Sequence, residues 1–189
     1  MTIVSNNCAG AYIYHDLGMR FDSPTINLQI LPSEFPRFCR DFEFYMSLEL
    51  DEYTRRTKQH ADEIFSHLYG NNPYFPVGLL GDICILFQHY KTFQEAKGKW
   101  EERKKRIDYS HIGFVFVLER ERKEAAKAFG NLNLPNSVLF TRAFDVDVPI
   151  EHHEYHIPEG AEYLGVNPET GRRYFEADFD IAEYARRIG

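Results

Sequence analysis

Near the start of the chain, a polar run of Ser5, Asn6, Asn7 and Cys8 directly follows the apolar, β-branched stretch TIV. A thiol can act as a nucleophile when a histidine lies within hydrogen-bond distance and accepts its proton. Carboxamide side chains next to the thiol either cap the helix that follows or line a pocket, where they bind hydroxyl and phosphate groups. The run therefore predicts a helix cap, a ligand site, or both.

His89 is the histidine best placed to act with Cys8, because it follows ICILF, an apolar stretch typical of a strand buried on both faces. The carboxyl ends of parallel strands meet at one edge of a sheet, so we expect the segments after TIV and ICILF to converge. This predicts that Asn6 or Asn7, Cys8 and His89 line one cleft, with the Cys8 sulfur within ~4 Å of a His89 nitrogen. The alternatives are a thiol that packs as a small apolar group and an imidazole that bonds loop backbone.

Tyr90 and Arg103 are further candidates for binding a substrate, together with the two asparagines. Tyr90 follows His89 at the same predicted strand end. Arg103 lies at the edge of the apolar stripe of a predicted helix, and its guanidinium group can bind a phosphate or a carboxylate. We therefore expect Asn6, Asn7, Tyr90 and Arg103 to contact the substrate.

The helix that carries Arg103 is predicted over residues 92–107. Thr92 and Glu95 have the spacing of a capping box, which marks where this helix begins. Its apolar stripe contains Trp100, so we expect the indole ring to be buried in the core and not to stack on a sugar.

Two acidic or histidine-rich motifs have the composition of metal sites. Asp145-Val146-Asp147 has the DxD form with which many glycosyltransferases hold a divalent metal and a nucleotide sugar. The stretch EHHEYH contains His152, His153 and His156. Alternating aspartates are more often found on an exposed strand, and prolines bracket the histidines without a predicted helix, so we expect no metal at either motif. The common nucleotide-binding glycine motifs and GxSxG are not present, and the sequence identifies no cofactor.

Predicted strands alternate with predicted helices along most of the chain, which is typical of α/β proteins. We expect a single domain over residues 1–145, a three-layer α/β/α sandwich with a mostly parallel central sheet. A further helix is expected at ADEIFSHLY, residues 61–69. Residues 146–189 fit the alternation poorly, and we expect an irregular acidic extension that packs on the core or on a partner chain.

Three features of the composition argue against several classes of protein. The net charge is -7, the three cysteines lack CxxC spacing, and no long apolar stretch occurs. A nucleic-acid-binding protein is usually basic, a disulfide framework needs paired cysteines, and a transmembrane helix needs ~20 apolar residues. We therefore expect a cytoplasmic protein that binds no nucleic acid and does not span a membrane. The basic run of residues 97–106 and the acidic residues from Asp145 onward are expected to face each other, within one chain or across a homodimer.

Four motifs in the same order give the chain a specific resemblance. SNNC, LGMRFDSPT, GD-x(6)-HY and KW-x(2)-R-x(2)-RI resemble a bacterial family with a domain of unknown function, labelled exopolysaccharide or capsular polysaccharide biosynthesis proteins. The resemblance covers about residues 1–145 and implies an α/β/α fold and an association with surface-polysaccharide genes. It also implies that the motif positions to watch are Asn6, Asn7, Cys8, Asp82, His89, Tyr90, Trp100, Arg103 and Arg106.

Three functions remain open. The leading hypothesis is a protein of surface polysaccharide biosynthesis that acts as a transferase on a sugar or an activated sugar, with His89 as acid or base and Asn6, Asn7 and Arg103 holding hydroxyls or phosphate. The second is a thiol-dependent acyl transferase or hydrolase that uses Cys8 and His89. The third is a non-catalytic binding or scaffold protein of the same pathway. Both enzyme hypotheses require a cleft at the strand ends, whereas a scaffold does not.

Overall fold

The computed structural model describes residues 1–53 and 75–189, so the helix expected at residues 61–69 lies outside it. The strands are β1 (Thr2–Ser5), β2 (Gln29–Ile30), β3 (Asp51–Glu52), β4 (Val77–Leu80), β5 (Ile83–Leu86), β6 (Ile112–Leu118), β7 (Ser137–Arg142) and β8 (Glu151–Tyr155). The helices are α1 (Ala9–Asp16), α2 (Phe35–Arg40), α3 (Phe42–Ser47), α4 (Phe93–Lys104), α5 (Lys123–Gly130) and α6 (Ile181–Ile188), with a turn of 3-10 helix at Tyr174–Glu176. None of the helices in these two ranges is long and apolar enough to cross a membrane.

Four strands form a parallel sheet in the order β1-β6-β7-β8. Successive side chains of β6 alternate between two apolar clusters, with Phe114 and Phe116 in one and Val115 and Val117 in the other. Both faces of the sheet are therefore buried, which explains why its strands are apolar throughout.

Helices cover both faces of this sheet. The first apolar cluster contains Phe35 of α2 and Phe129 of α5, and the second contains Ile13 of α1 and Tyr184 of α6. The mixed α/β class predicted from the alternation of strands and helices is confirmed.

A second sheet is antiparallel, in the order β2-β5-β4-β3. The prediction that ICILF belongs to the parallel sheet is wrong, because β5 pairs antiparallel with both β2 and β4. The physical reason is a tight hairpin: Leu80 pairs with Ile83, and the two-residue turn between them begins at Gly81, whose φ is 62°. Ile83 and Ile85 pack into the first apolar cluster, so the second sheet adds to the same core.

The prediction of irregular structure at EHHEYH is also wrong, because residues 151–155 form the edge strand β8, parallel to β7. A polar sequence can form this strand because β8 lies at the edge of the sheet and Tyr155 is its one buried side chain. Tyr155, Phe175 and Phe179 belong to the second apolar cluster, so this segment packs on the parallel sheet.

Helix α4 begins as its capping box predicts. The Thr92 hydroxyl accepts a hydrogen bond from the backbone N–H of Glu95, and the Glu95 carboxylate accepts one from the N–H of Lys91. Trp100 is 1% exposed, which confirms the prediction that it is a core residue.

The expected pairing of the basic run with the acidic segment is not what the described residues form within the chain. Lys97 binds Glu49, Lys99 binds Glu102, and Arg106 binds Asp22 and Glu102. These carboxylates precede the run or lie inside it, because α4 packs against the first half of the chain.

Candidate active site

The first asparagine after β1 continues the parallel sheet with its side chain. The Asn6 Oδ1 atom accepts a hydrogen bond of 2.9 Å from the Val117 N–H, and its Nδ2 group donates one of 3.1 Å to the Val117 carbonyl. A carboxamide offers the same donor and acceptor as a peptide unit, so Asn6 replaces the backbone where β1 turns away. The Asn6 backbone carbonyl accepts from the Ile30 N–H at 2.8 Å, which joins the two sheets.

The second asparagine caps helix α1. Its Oδ1 atom accepts a hydrogen bond of 3.0 Å from the Ala9 N–H, and its Nδ2 group donates to the Val117 carbonyl at 3.3 Å. The Ser5 hydroxyl accepts from the Gly10 N–H and donates to the Asn7 carbonyl. The polar run thus satisfies the first N–H groups of α1 from within the chain.

These bonds hold Cys8 next to His89. The Cys8 Sγ atom lies 3.2 Å from the His89 Nε2 atom, which confirms the predicted proximity. The two residues come from different sheets, since Cys8 follows β1 and His89 follows β5. The Gln88 side chain, next to His89, donates a hydrogen bond of 2.8 Å to Gln29 of β2.

Burial raises the pKa of the Cys8 thiol to about 11. The sulfur therefore carries its proton at neutral pH, and a base has to remove this proton when the sulfur attacks a substrate. His89 is exposed and its Nε2 atom lies within reach of the thiol. The arrangement is that of a nucleophile with a general base, without a preformed thiolate.

A cavity of about 190 Å³ lies beside Asn6 and Asn7, and neither Cys8 nor His89 is among the residues that line it. It is lined by Asn6, Asn7, Gln29, Pro32, Val117, Leu118, Glu119, Arg120, Arg122 and Tyr163. It therefore lies at the carboxyl ends of β1 and β6, the edge at which open parallel sheets bind ligands.

Tyr163 lines the cavity with a half-buried phenol. Burial is the main cause that raises the pKa of this phenol, followed by the charge of Glu119 and then that of Cys8. The hydroxyl thus stays protonated and can donate a hydrogen bond into the cavity.

Arg103 and Tyr90 stand apart from this cavity, and neither is among the residues that line it. The Arg103 guanidinium donates to the Tyr90 hydroxyl at 2.7 Å and to the Ile26 carbonyl, and it lies over the ring of Phe21. The Tyr90 hydroxyl in turn donates to the Ile26 carbonyl. These contacts anchor α4 and the segment after β5 to the loop that precedes β2.

The two metal-like motifs are engaged in other contacts. His152 bonds Thr141 at 2.7 Å, and His153 bonds Glu151 and stacks on Phe140. Asp145 lies 3.8 Å from the other ring nitrogen of His152. Among residues 1–53 and 75–189, no group of three or more histidine, cysteine or acidic side chains could hold a metal ion.

Comparison with known proteins identifies the family. The model of a domain of unknown function, DUF1919, matches residues 1–183. The chain belongs to this family. It is also 31% identical over 192 residues to an uncharacterized protein of Haemophilus influenzae, an alignment that covers 97% of this chain and 83% of that protein.

Sequence reasoning did not single out Tyr163 or Arg122 as cavity residues. Tyr163 lies in the segment predicted to be irregular, and no local pattern places it beside β1. Arg122 lies four residues after the end of β6. A position shortly after a buried strand predicts that a residue lies at the ligand-binding edge of the sheet.

Proposed function

We propose that this protein is a cysteine-dependent acyl transferase of surface polysaccharide biosynthesis, with Cys8 as nucleophile and His89 as general base. The observation that carries the proposal is the distance of 3.2 Å between Cys8 Sγ and His89 Nε2. A thiol within hydrogen-bond distance of an imidazole at the edge of a sheet is an arrangement suited to covalent acyl transfer.

In the first half-reaction, His89 Nε2 takes the thiol proton while the sulfur attacks the carbonyl carbon of an acyl donor. The bond to the donor's leaving group breaks, His89 gives the proton to that group, and a thioester remains on Cys8. In the second half-reaction, a sugar hydroxyl gives its proton to His89 while its oxygen attacks the thioester carbonyl. The ester leaves, and the thiolate takes the proton back from His89.

The polysaccharide pathway is supported by the sequence resemblance described above. The cavity at the carboxyl ends of β1 and β6 carries donors and acceptors of the kind that hold sugar hydroxyls, in Glu119 and Tyr163.

A second candidate function is sugar transfer in which His89 alone acts as the base and Cys8 is not essential. It is favoured by the two arginines that line the cavity, Arg120 and Arg122, because guanidinium groups bind the phosphate of activated sugars.

The test is the capture of an acyl-enzyme. The full chain is incubated with p-nitrophenyl acetate, and the intact protein is weighed by mass spectrometry before and after addition of saccharide acceptors. We expect one acetyl group on Cys8 in the wild type, none on C8S, and slow formation in H89A. If C8S is acetylated to the same extent as the wild type, the thiol mechanism is wrong.

C84S and C39S are controls for nonspecific thiol chemistry, because both sulfurs are buried. If H89A abolishes turnover of nucleotide sugars while C8S retains it, the sugar transferase is correct. If all variants behave alike and no donor reacts, the protein has a scaffold role.

A further inference from the structure

Two exposed arginine side chains, Arg120 and Arg122, line the cavity at the carboxyl ends of β1 and β6. Within the part of the chain that the structure describes, neither guanidinium has a hydrogen-bond or ion-pair partner. Other arginines are held by the chain itself: Arg103 bonds Tyr90, and Arg173 bonds the Leu164 carbonyl. The two cavity arginines therefore keep their donor groups available to a ligand.

The charge of the cavity is opposite to the charge of the protein. The chain carries a net charge of -7, yet the charged side chains that line the cavity are the two arginines and Glu119. A guanidinium group presents a planar fork of donors that matches the oxygens of a carboxylate or a phosphate. The acidic protein as a whole repels anions at long range. An anion is therefore held only by short-range contacts with this local positive site.

The position and size of the cavity define what fits. It opens at the end of β6, beside Asn7, and its volume of about 190 Å³ is below that of sites for drug-sized ligands, ~300–1,000 Å³. The side chains of Asn6 and Asn7 line it, but their amide groups already bond Val117 and Ala9. Gln29 also lines the cavity and bonds Gln88. The polar groups left for a ligand are therefore those of the two arginines, Glu119 and Tyr163.

We infer that this cavity binds the anionic group of an acidic sugar, with Arg120 and Arg122 contacting a carboxylate or phosphate and Glu119 and Tyr163 contacting hydroxyls. The inference names the substrate class of the proposed acyl transferase and rests on that function for the role of the bound sugar as acceptor. Binding itself does not require Cys8.

The experiment is calorimetric titration of the full chain at low ionic strength with three probes: glucuronate, glucose 1-phosphate and glucose. We expect at least one anionic sugar to bind at least about ten-fold more tightly than glucose, because hydrogen bonds to charged groups are the stronger ones. Preference for glucuronate identifies a carboxylate as the recognised group, and preference for glucose 1-phosphate identifies a phosphate. Equal binding of all three probes, or none, overturns the inference.

Three variants locate the site. R120Q and R122Q should each weaken binding of the preferred anionic sugar by about ten-fold, and added salt should weaken it in the wild type. R186Q is the matched control and should leave binding unchanged. Arg186 lies on α6, whose Tyr184 and Ile188 pack at Gly113 near the start of β6, ~20 Å along the strand from the cavity. Unchanged binding in R120Q and R122Q, or affinity independent of salt, contradicts the inference.

The C8S variant separates this inference from the proposed function. If C8S binds the anionic sugar normally while the wild type forms no acyl-enzyme, the cavity assignment stands and acyl transfer is wrong. If an acyl-enzyme forms while no anionic sugar binds, acyl transfer stands and the substrate class is wrong.

Discussion

At the scale of single residues, Cys8 combines a half-buried sulfur with an imidazole that reaches it from another sheet. Burial disfavours the thiolate, so the thiol is protected from reaction until a base acts on it. Among the described residues, no neighbouring charge offsets this effect of burial on the thiol pKa.

The reaction of Cys8 with iodoacetamide should depend on pH in a way that reflects this burial. Because the pKa of the thiol is raised to about 11, the rate should keep rising above pH ~9, where an ordinary thiol with a pKa of ~8.5 levels off. H89A should react more slowly near neutral pH because it lacks the base. The measurement is the labelled fraction of the Cys8 peptide over time, and a rate that levels off before pH ~9 contradicts the prediction.

Glu176 is a second residue with an unusual environment. It is 3% exposed, its Oε1 atom has no hydrogen-bond partner among the described residues, and burial raises its pKa to about 7. Asp16 raises this pKa further, whereas Arg173 and Arg172 lower it. The folded carboxyl therefore keeps its proton up to about pH 7, while the unfolded carboxyl loses it near its ordinary value of 4.5.

The contribution of Glu176 to stability should decrease as the pH rises. In the window between these two pKa values the unfolded state binds fewer protons than the folded state, so the free energy of unfolding falls, and above about pH 7 the loss is complete. E176Q cannot ionise, so it should raise the melting temperature relative to wild type more at pH ~8 than at pH ~4. E183Q, an exposed change on α6, is the control. An equal effect of E176Q at both pH values refutes the assignment.

At the scale of elements, the side chain of Asn6 determines how β1 joins β6. N6A removes both hydrogen bonds of the Asn6 side chain to Val117 and leaves the buried Val117 N–H without a partner. This should lower the free energy of unfolding by about 2–4 kcal/mol. Urea unfolding measures this loss. N131A is the matched control, because Asn131 is exposed at the end of α5 and its loss should change stability by less than about 0.5 kcal/mol. A near-neutral N6A would show that the amide does not stabilise the sheet.

Helix α4 is anchored by Trp100, whose ring meets the edge of Phe87 at 6.5 Å between centroids. W100A should lower the free energy of unfolding by ~3–5 kcal/mol, because the cavity left behind adds to the lost burial. W100F should cost clearly less, since it keeps an aromatic ring and the indole nitrogen has no hydrogen-bond partner among the described residues. Urea unfolding followed by circular dichroism compares the two variants, and equal losses would contradict a packing role.

At the scale of the whole molecule, the two sheets share one core. The first apolar cluster contains Val4 and Phe116 of the parallel sheet together with Ile83 and Ile85 of the antiparallel sheet. The candidate active site depends on this contact, because its nucleophile and its base follow strands of different sheets.

The two sheets should therefore unfold together. The fluorescence of the single tryptophan reports on α4 and the antiparallel sheet, while alkylation of Cys8 reports on the end of β1. We expect both probes to give the same urea midpoint, as in a cooperative transition. Two separated midpoints would show that the sheets are independent units.

Local patterns in the sequence determined several features of this protein. Strand β6, the capping box of α4 and the burial of Trp100 follow from apolar periodicity and from side chains that bond their own neighbours. The cap of α1 by Asn7 is equally local, because donor and acceptor lie two residues apart. These features depend on chain neighbours, so the printed sequence is sufficient to predict them.

The tertiary structure decided which strand joins which sheet, and thereby what surrounds Cys8. Strand β5 is apolar enough for a parallel sheet, but the turn at Gly81 folds it back on β4. The sequence does not predict strand β8, because an edge strand with one buried residue lacks an apolar pattern. His89 reaches Cys8 across 81 residues, and Tyr163 joins the cavity from the far end of the chain. Such contacts depend on how sheets pack, which periodicity along the chain does not record.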